Sequence, residues 1–212
     1  NWSHNVQFGD WSGIVNVFGG SETRKDSDYL KLYSGLDSES DTKWSGIFGA
    51  EMVLSKDWFE GRLMVMQSDT QGRVVSDGED WSEKTMQQIY GASALVDYND
   101  YLLTAELFYS DRTESYGRDL AYTLSAGKRF DGYLVLFTHG LYQQKIYQDN
   151  PGEVTETDRE KHRNTSIVVK FDVSASSDFK VQFEHWQDYS GSWFKENYGD
   201  ANTLSMAYNL VF

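Results

Sequence analysis

Apolar and polar residues alternate with period two through most of this chain. Leu204, Met206, Tyr208, Leu210 and Phe212 take every second position against Thr203, Ser205, Ala207, Asn209 and Val211. One face is apolar and the other small or polar, the mark of a strand. Ile167, Val169, Phe171 and Val173 oppose Ser166, Val168, Lys170 and Asp172, and Phe179, Val181 and Phe183 oppose Lys180, Gln182 and Glu184. Tyr101, Leu103, Ala105, Leu107 and Tyr109 oppose Thr104, Glu106 and Ser110, while Phe59, Gly61, Leu63 and Val65 oppose Glu60 and Arg62. Charges keep to one face. Further strands are expected at 11–19, 44–54, 87–98, 120–130 and 133–143, about ten in all, the last apolar on both faces so that its orientation stays open.

The connections alternate between short and long. Ser55-Lys56-Asp57, Asn99-Asp100, Asp131-Gly132 and residues 175–178 carry hairpin-turn residues. Between them lie long polar segments at 20–43, 68–86, 144–163 and 189–202, and a shorter one at 110–119. The chain therefore has two rims of different character.

Composition narrows the function. With 19 Lys+Arg against 33 Asp+Glu the net charge is -14, which leaves no basic footprint for nucleic acid. Aromatics at 16% exclude a disordered acidic tail. No cysteine and four histidines leave little for a thiolate or His-rich metal site, and no cofactor or metal is expected. Acid clusters at Asp77, Glu79 and Asp80 and at Asp37, Glu39 and Asp41 lack EF-hand spacing and read as solvated loop charge. No apolar run is long enough for a transmembrane helix, and no basic and apolar leader opens the chain, so any signal peptide is expected to have been removed already.

Short turns at one end, long acidic loops at the other and segments of roughly ten residues with one apolar face form the pattern of an all-β, antiparallel transmembrane β-barrel, one domain over residues 1–212, with periplasmic turns and extracellular loops. Trp11, Trp58, Phe59, Tyr98, Tyr101, Phe130, Tyr133, Phe171, Phe179 and Phe212 would ring the short-turn rim. Trp44, Tyr90, Tyr109, Tyr142, Trp186 and Tyr189 would ring the other. The chain resembles Gram-negative outer-membrane proteins at its ending, where the terminal Phe212 with apolar Leu204, Met206, Tyr208 and Leu210 looks like the signal their assembly machinery reads. Gly9-Asp10-Trp11-Ser12-Gly13 is similar to porin hairpins. The resemblance implies an outer-membrane location and, as partners, the bilayer with its lipopolysaccharide and that assembly machinery. One apolar face per strand suits lipid and a neighbouring barrel equally, leaving a homo-oligomer or a larger envelope complex open.

A soluble β-sandwich or lipocalin-like barrel is the competing fold, but about ten such aromatic-rich faces would overfill a small closed core. A barrel in lipid has the reverse need. Its lumen would be lined by Glu51, Glu60, Arg62, Asp97, Glu106, Lys170, Asp172, Lys180 and Glu184, narrowed by Met64, Met66, Phe108 and Trp186. Residues 1–10 pose a difficulty: Trp2, His4, Val6 and Phe8 alternate like another strand, and an eleventh strand makes the count odd, whereas bacterial single-chain barrels have even counts. Two arrangements stay open, a tail or plug on a ten-stranded barrel, or the C-terminal part of a larger barrel.

His185 with Asp188, and His139, are the only groups that suggest the chemistry of barrel-borne hydrolases. A triad needs a base oriented by a carboxylate and touching a nucleophile. No motif supplies one, and His185 follows the register of Val181 and Phe183, so no enzyme is expected. The expected function is a porin-like channel for ions or small hydrophilic solutes, cation-preferring. The alternative is a non-conducting barrel acting through its acidic loops as a binding or structural subunit of an envelope assembly.

Overall fold

The computed structural model describes residues 1–25, 39–75, 80–112, 117–145, 160–191 and 199–210. Within them the alternating segments form eleven strands and no helix. These are β1 (Trp2–Phe8), β2 (Trp11–Arg24), β3 (Ser40–Lys56), β4 (Phe59–Val74), β5 (Thr85–Tyr98), β6 (Tyr101–Arg112), β7 (Gly117–Phe130), β8 (Tyr133–Lys145), β9 (Lys161–Ser174), β10 (Ser177–Asp188) and β11 (Ala201–Leu210). All lie in one antiparallel sheet, ordered β1 to β11, each strand pairing with its neighbours in sequence.

Residues 2–8 are a strand, not a tail or plug. Gly9 takes φ 59°, a left-handed conformation that costs glycine little, and turns β1 back onto β2 so that Phe8 faces Trp11 and Trp2 faces Val17. The strands also outrun their apolar stretches: β3 has 17 residues and β4 has 16. Backbone pairing continues past the point where side chains alternate, because the ladder needs only N–H and C=O groups, while alternation is required only where one face must be apolar. Segments expected as loops at 20–43 and 68–86 are therefore partly strand.

Register settles β8. Leu124 pairs with His139 and Ala126 with Phe137, so Tyr133, Val135, Phe137, His139 and Leu141 share the apolar face, while Leu134, Leu136 and Tyr142 share the charged one.

No hydrophobic side chain among the described residues is buried; the buried side chains are polar, among them Asp41, Ser68, Ser110, Asp119 and Asp188. On the apolar face Leu63 is 59% exposed and Met206 65%. A soluble sandwich or lipocalin would hide these residues in a core, and this sheet has none to hide them in. Its apolar face lies open along all eleven strands.

The ladder is staggered. One row of directly paired residues runs Gln7, Ser12, Ser55, Glu60, Leu95, Thr104, Ser125, Thr138, Ser166, Glu184, Thr203. It starts one residue from the short-turn end of β1 and finishes seven residues from the same end of β11. Such stagger tilts strands against a barrel axis. β1 and β11 each have one partner only and run in the same direction, from the long-connection rim to the short-turn rim. They cannot pair antiparallel with one another; antiparallel closure takes an odd number of strands between them.

The two faces should respond differently to a charge. In phospholipid vesicles, Leu107→Arg on the apolar face is expected to lower unfolding free energy by about 2–4 kcal/mol, and Thr123→Arg on the other face by less than about 1 kcal/mol. Equal losses in urea titrations would mean that the faces are misassigned.

Candidate functional site

All nine charged residues expected in the lumen fall on one face. Glu51 pairs with Met64; two residues from Met64, Arg62 pairs with Ser93, Ser93 with Glu106, and Glu106 with Thr123. Register carries the same face onward to Asn164 and Trp186, and with them to Lys170, Asp172, Lys180 and Glu184. Glu60 and Asp97 join it through Leu95 and Leu102. Met64, Met66, Phe108 and Trp186 stand on this face too.

The face holds a hollow of about 300 Å³ across β3 to β7, bordered by Glu51, Arg62, Met64, Ser93, Glu106 and Phe108. Gly91 makes the room: it sits between Met64 and Phe108 in the ladder with no side chain of its own. A Cβ at Gly91 would touch Met64 Cε at 3.5 Å, an ordinary contact, so crowding does not demand the glycine.

Most cations here are tied to acids. Arg62 Nη1 lies 3.4 Å from Glu51 Oε1, and Arg129 forks onto Asp97 at 2.5 and 2.7 Å. Lys170 Nζ reaches Asp172 at 3.1 Å and Asp178 at 3.7 Å. Arg112 donates to Asp119, which also accepts the Tyr142 hydroxyl at 3.0 Å. Among the described residues Glu60 and Glu106 have no ion-pair partner, and Glu184 is held only by the neutral amides of Asn164 and Gln182 at 3.4 and 3.0 Å. Among the described residues Lys180 is the one cation of this face without an acid. Unpaired charge on this face is thus mostly negative.

The sequence reading missed an aromatic stack. Tyr142 lies on His162 with centroids 5.2 Å apart, and His162 lies against Trp186 at 4.5 Å, all on the charged face. His162 Nε2 is 3.0 Å from Glu160. Tyr142 and Trp186 therefore do not join an apolar-face girdle at the outer rim as expected; they lie on the charged face. The signal was hidden because residues 133–143 are apolar on both faces, so their parity could not be read.

The short-turn rim matches its expected girdle. Trp11 packs edge-on to Trp58 and Phe59, Trp58 to Tyr98, and Phe130 stacks on Tyr133, which meets Phe171. Lys128 lies over Tyr101 and Phe130, its stem along apolar surface and its amine at the rim. At the far rim Tyr90 meets Tyr109 at 6.0 Å. Leu204, Met206, Tyr208 and Leu210 lie on the apolar face of β11, through their pairing with Phe183, Val181, Phe179 and Ser177. Phe212 lies outside the described residues.

His185 and Asp188 are on opposite faces, since His185 pairs with Thr165 and Asn202 on the apolar side and Asp188 with His162 on the charged side. His139 is on the apolar side as well, its Nδ1 3.0 Å from Thr165 Oγ1. No base and orienting carboxylate are brought together from these three. Asp41 is gripped by Arg73 at 2.9 and 2.7 Å, with Trp81 stacked on the guanidinium, so it serves structure. Asp37, Asp77 and Glu79 lie outside the described residues.

No family model matches the chain, and no curated protein matches it. Among solved structures, the crystal structure of a doubly substituted variant of OccD1 (OprD) aligns over 99% of this chain and 68% of its own, with 6% identity and a TM-score of 0.44. A likeness at that score leaves the functional assignment to the chain's own geometry.

The ion pairs should not be equal. Arg112→Gln strips the cation from Asp119, which is 6% exposed, and is expected to cost about 3 kcal/mol in denaturant unfolding. Arg129→Gln acts on an exposed pair and should change stability little. Equal costs would show that burial does not set the worth of these pairs.

Proposed function

We propose that this sheet is the wall of an outer-membrane, porin-like barrel that passes ions and small hydrophilic solutes by diffusion, with a preference for cations. One observation carries the reading: eleven strands expose an apolar face that no described residue covers, and the charges within their apolar stretches lie on the other. Lipid rewards the first arrangement and a water-filled lumen the second. Enclosure of the lumen calls for an odd number of further antiparallel strands between β1 and β11, since both edges present N–H and C=O groups that hydrocarbon cannot satisfy. The apolar alternation of Leu204 to Leu210, continued by Phe212, supports recognition by the outer-membrane assembly machinery.

Selection, not bond chemistry, is the mechanism. Glu106 in the hollow, with Glu60 and Glu184 on the same face, sets a negative local potential that raises cation concentration and lowers anion concentration, an effect that salt screens. The paired residues contribute shape and little net field.

Planar-bilayer recording tests both parts. The wild-type protein is expected to conduct, with a reversal potential of cation-preferring sign in a KCl gradient that shrinks as total salt rises. Glu106→Gln should move that potential toward zero at nearly unchanged conductance. Gly91→Phe, which fills the hollow, should lower conductance and leave the reversal potential nearly in place. Absence of current from inserted protein would overturn the channel and leave a non-conducting barrel acting through its loops.

A further inference from the structure

We propose that the apolar side of β7–β9, at its long-connection end, binds the phosphate of an anionic lipid headgroup through Arg118, Gln143, Lys161 and Arg163. The proposal rests on the membrane reading above.

The chain carries a net charge of -14, and its long connections are acidic. Against that background three cations stand on the lipid-facing side of β7 and β9, to either side of β8. Leu120 pairs with Gln143 and Gln143 with Lys161, a single row. Arg118 stands two residues beyond Leu120 toward the rim, and Arg163 two residues from Lys161 toward the apolar band. Two strand spacings, roughly 10 Å, separate β7 from β9, so the side chains flank Gln143 from both sides.

Arg118 pairs with Asp111 at 3.1 Å and is about half exposed. Among the described residues Lys161 and Arg163 form no ion pair, and Arg163 lies over the Tyr189 ring at 4.9 Å. A hollow of about 140 Å³ opens at Arg118, lined also by Tyr109, Leu120 and Gln143, the residue that pairs with Lys161. Tyrosines mark the depth at which one end of a side chain is in hydrocarbon and the other is wet, and here Tyr109, Tyr122 and Tyr189 surround the patch. At that depth the available anions are headgroup phosphates, whose geometry suits a guanidinium fork with an ammonium beside it. A soluble anion or an acidic protein would have to displace lipid to reach the same surface.

The whole protein in detergent micelles, titrated with phosphatidic acid and separately with phosphatidylcholine and followed by native mass spectrometry, tests this. Wild type should retain phosphatidic acid in preference to phosphatidylcholine. Lys161→Gln with Arg163→Gln should weaken phosphatidic acid binding about tenfold and leave phosphatidylcholine binding unchanged. Equal retention of the two lipids, or unchanged binding by the double variant, overturns the site, and so does displacement of the lipid by millimolar inorganic phosphate, which would mean a free-anion site. Where the double variant does not fold, Lys161→Gln alone, which breaks no ion pair, gives the same reading with a smaller loss. Flotation with phosphatidylcholine vesicles separates the two levels: wild type that fails to insert overturns the membrane reading and this site together, and wild type that inserts without lipid preference overturns the site alone.

Discussion

Everything in this molecule follows from an apolar face that the protein itself does not cover. A soluble domain gains most of its stability by taking such surface out of water, and here no described hydrophobic side chain is buried. What holds the strands to one another is the ladder of backbone hydrogen bonds, continuous from β1 to β11. In hydrocarbon that ladder is strong because water does not compete for it, and for the same reason an unpaired edge is intolerable. In the membrane setting proposed above, a sheet of this kind needs a closed wall, and the parallel course of β1 and β11 restricts how the wall can close.

The same constraint explains why polar chemistry is concentrated on one side. With alternate residues committed to an apolar face, every charge within the apolar band must take the opposite parity, which places acids and bases of neighbouring strands within reach of each other. Arg62 with Glu51 and Arg129 with Asp97 are products of that crowding. Glu106 stays unpaired because its ladder neighbours are Ser93 and Thr123, and the nearby space is left open by Gly91. The net field over such a face is set less by how many charges it has than by which remain uncompensated.

Period two made the strands and the shared face of the nine charged residues legible in the sequence, because a sheet with one apolar face imposes alternation rigidly. Where that demand stops acting, the sequence became ambiguous. The rim ends of β3 and β4 are strands without alternation, so they looked like loops. Residues 133–143 satisfy both faces with apolar groups, which concealed the inward Tyr142 and with it the stack on His162 and Trp186. Trp186 shows the limit of assigning aromatics by position alone, since its place among the lumen-narrowing residues agrees with its register and its place in a rim girdle does not. Residues 2–8 kept their alternation, and only the pairing through the Gly9 turn decided between strand and tail.

Two histidines share the parity of the apolar face, and the stagger of the ladder sets them at different heights. The row that contains Val6, Gly13, Leu54 and Gly61 near the short-turn rim passes through Ala94, Ala105 and Leu124 and arrives at His139, Thr165, His185 and Asn202 on β8 to β11. Because the ladder is staggered, one row of constant register climbs from the short-turn rim toward the long-connection rim. His185 lies three residues from the long-connection end of β10 and bonds Asn202 at 2.8 Å, whereas His139 lies six residues from either end of β8 and is satisfied by the Thr165 hydroxyl at 3.0 Å. Parity says which side a residue faces and stagger says at what depth. A polar group on the outward face is anomalous only when both place it in hydrocarbon.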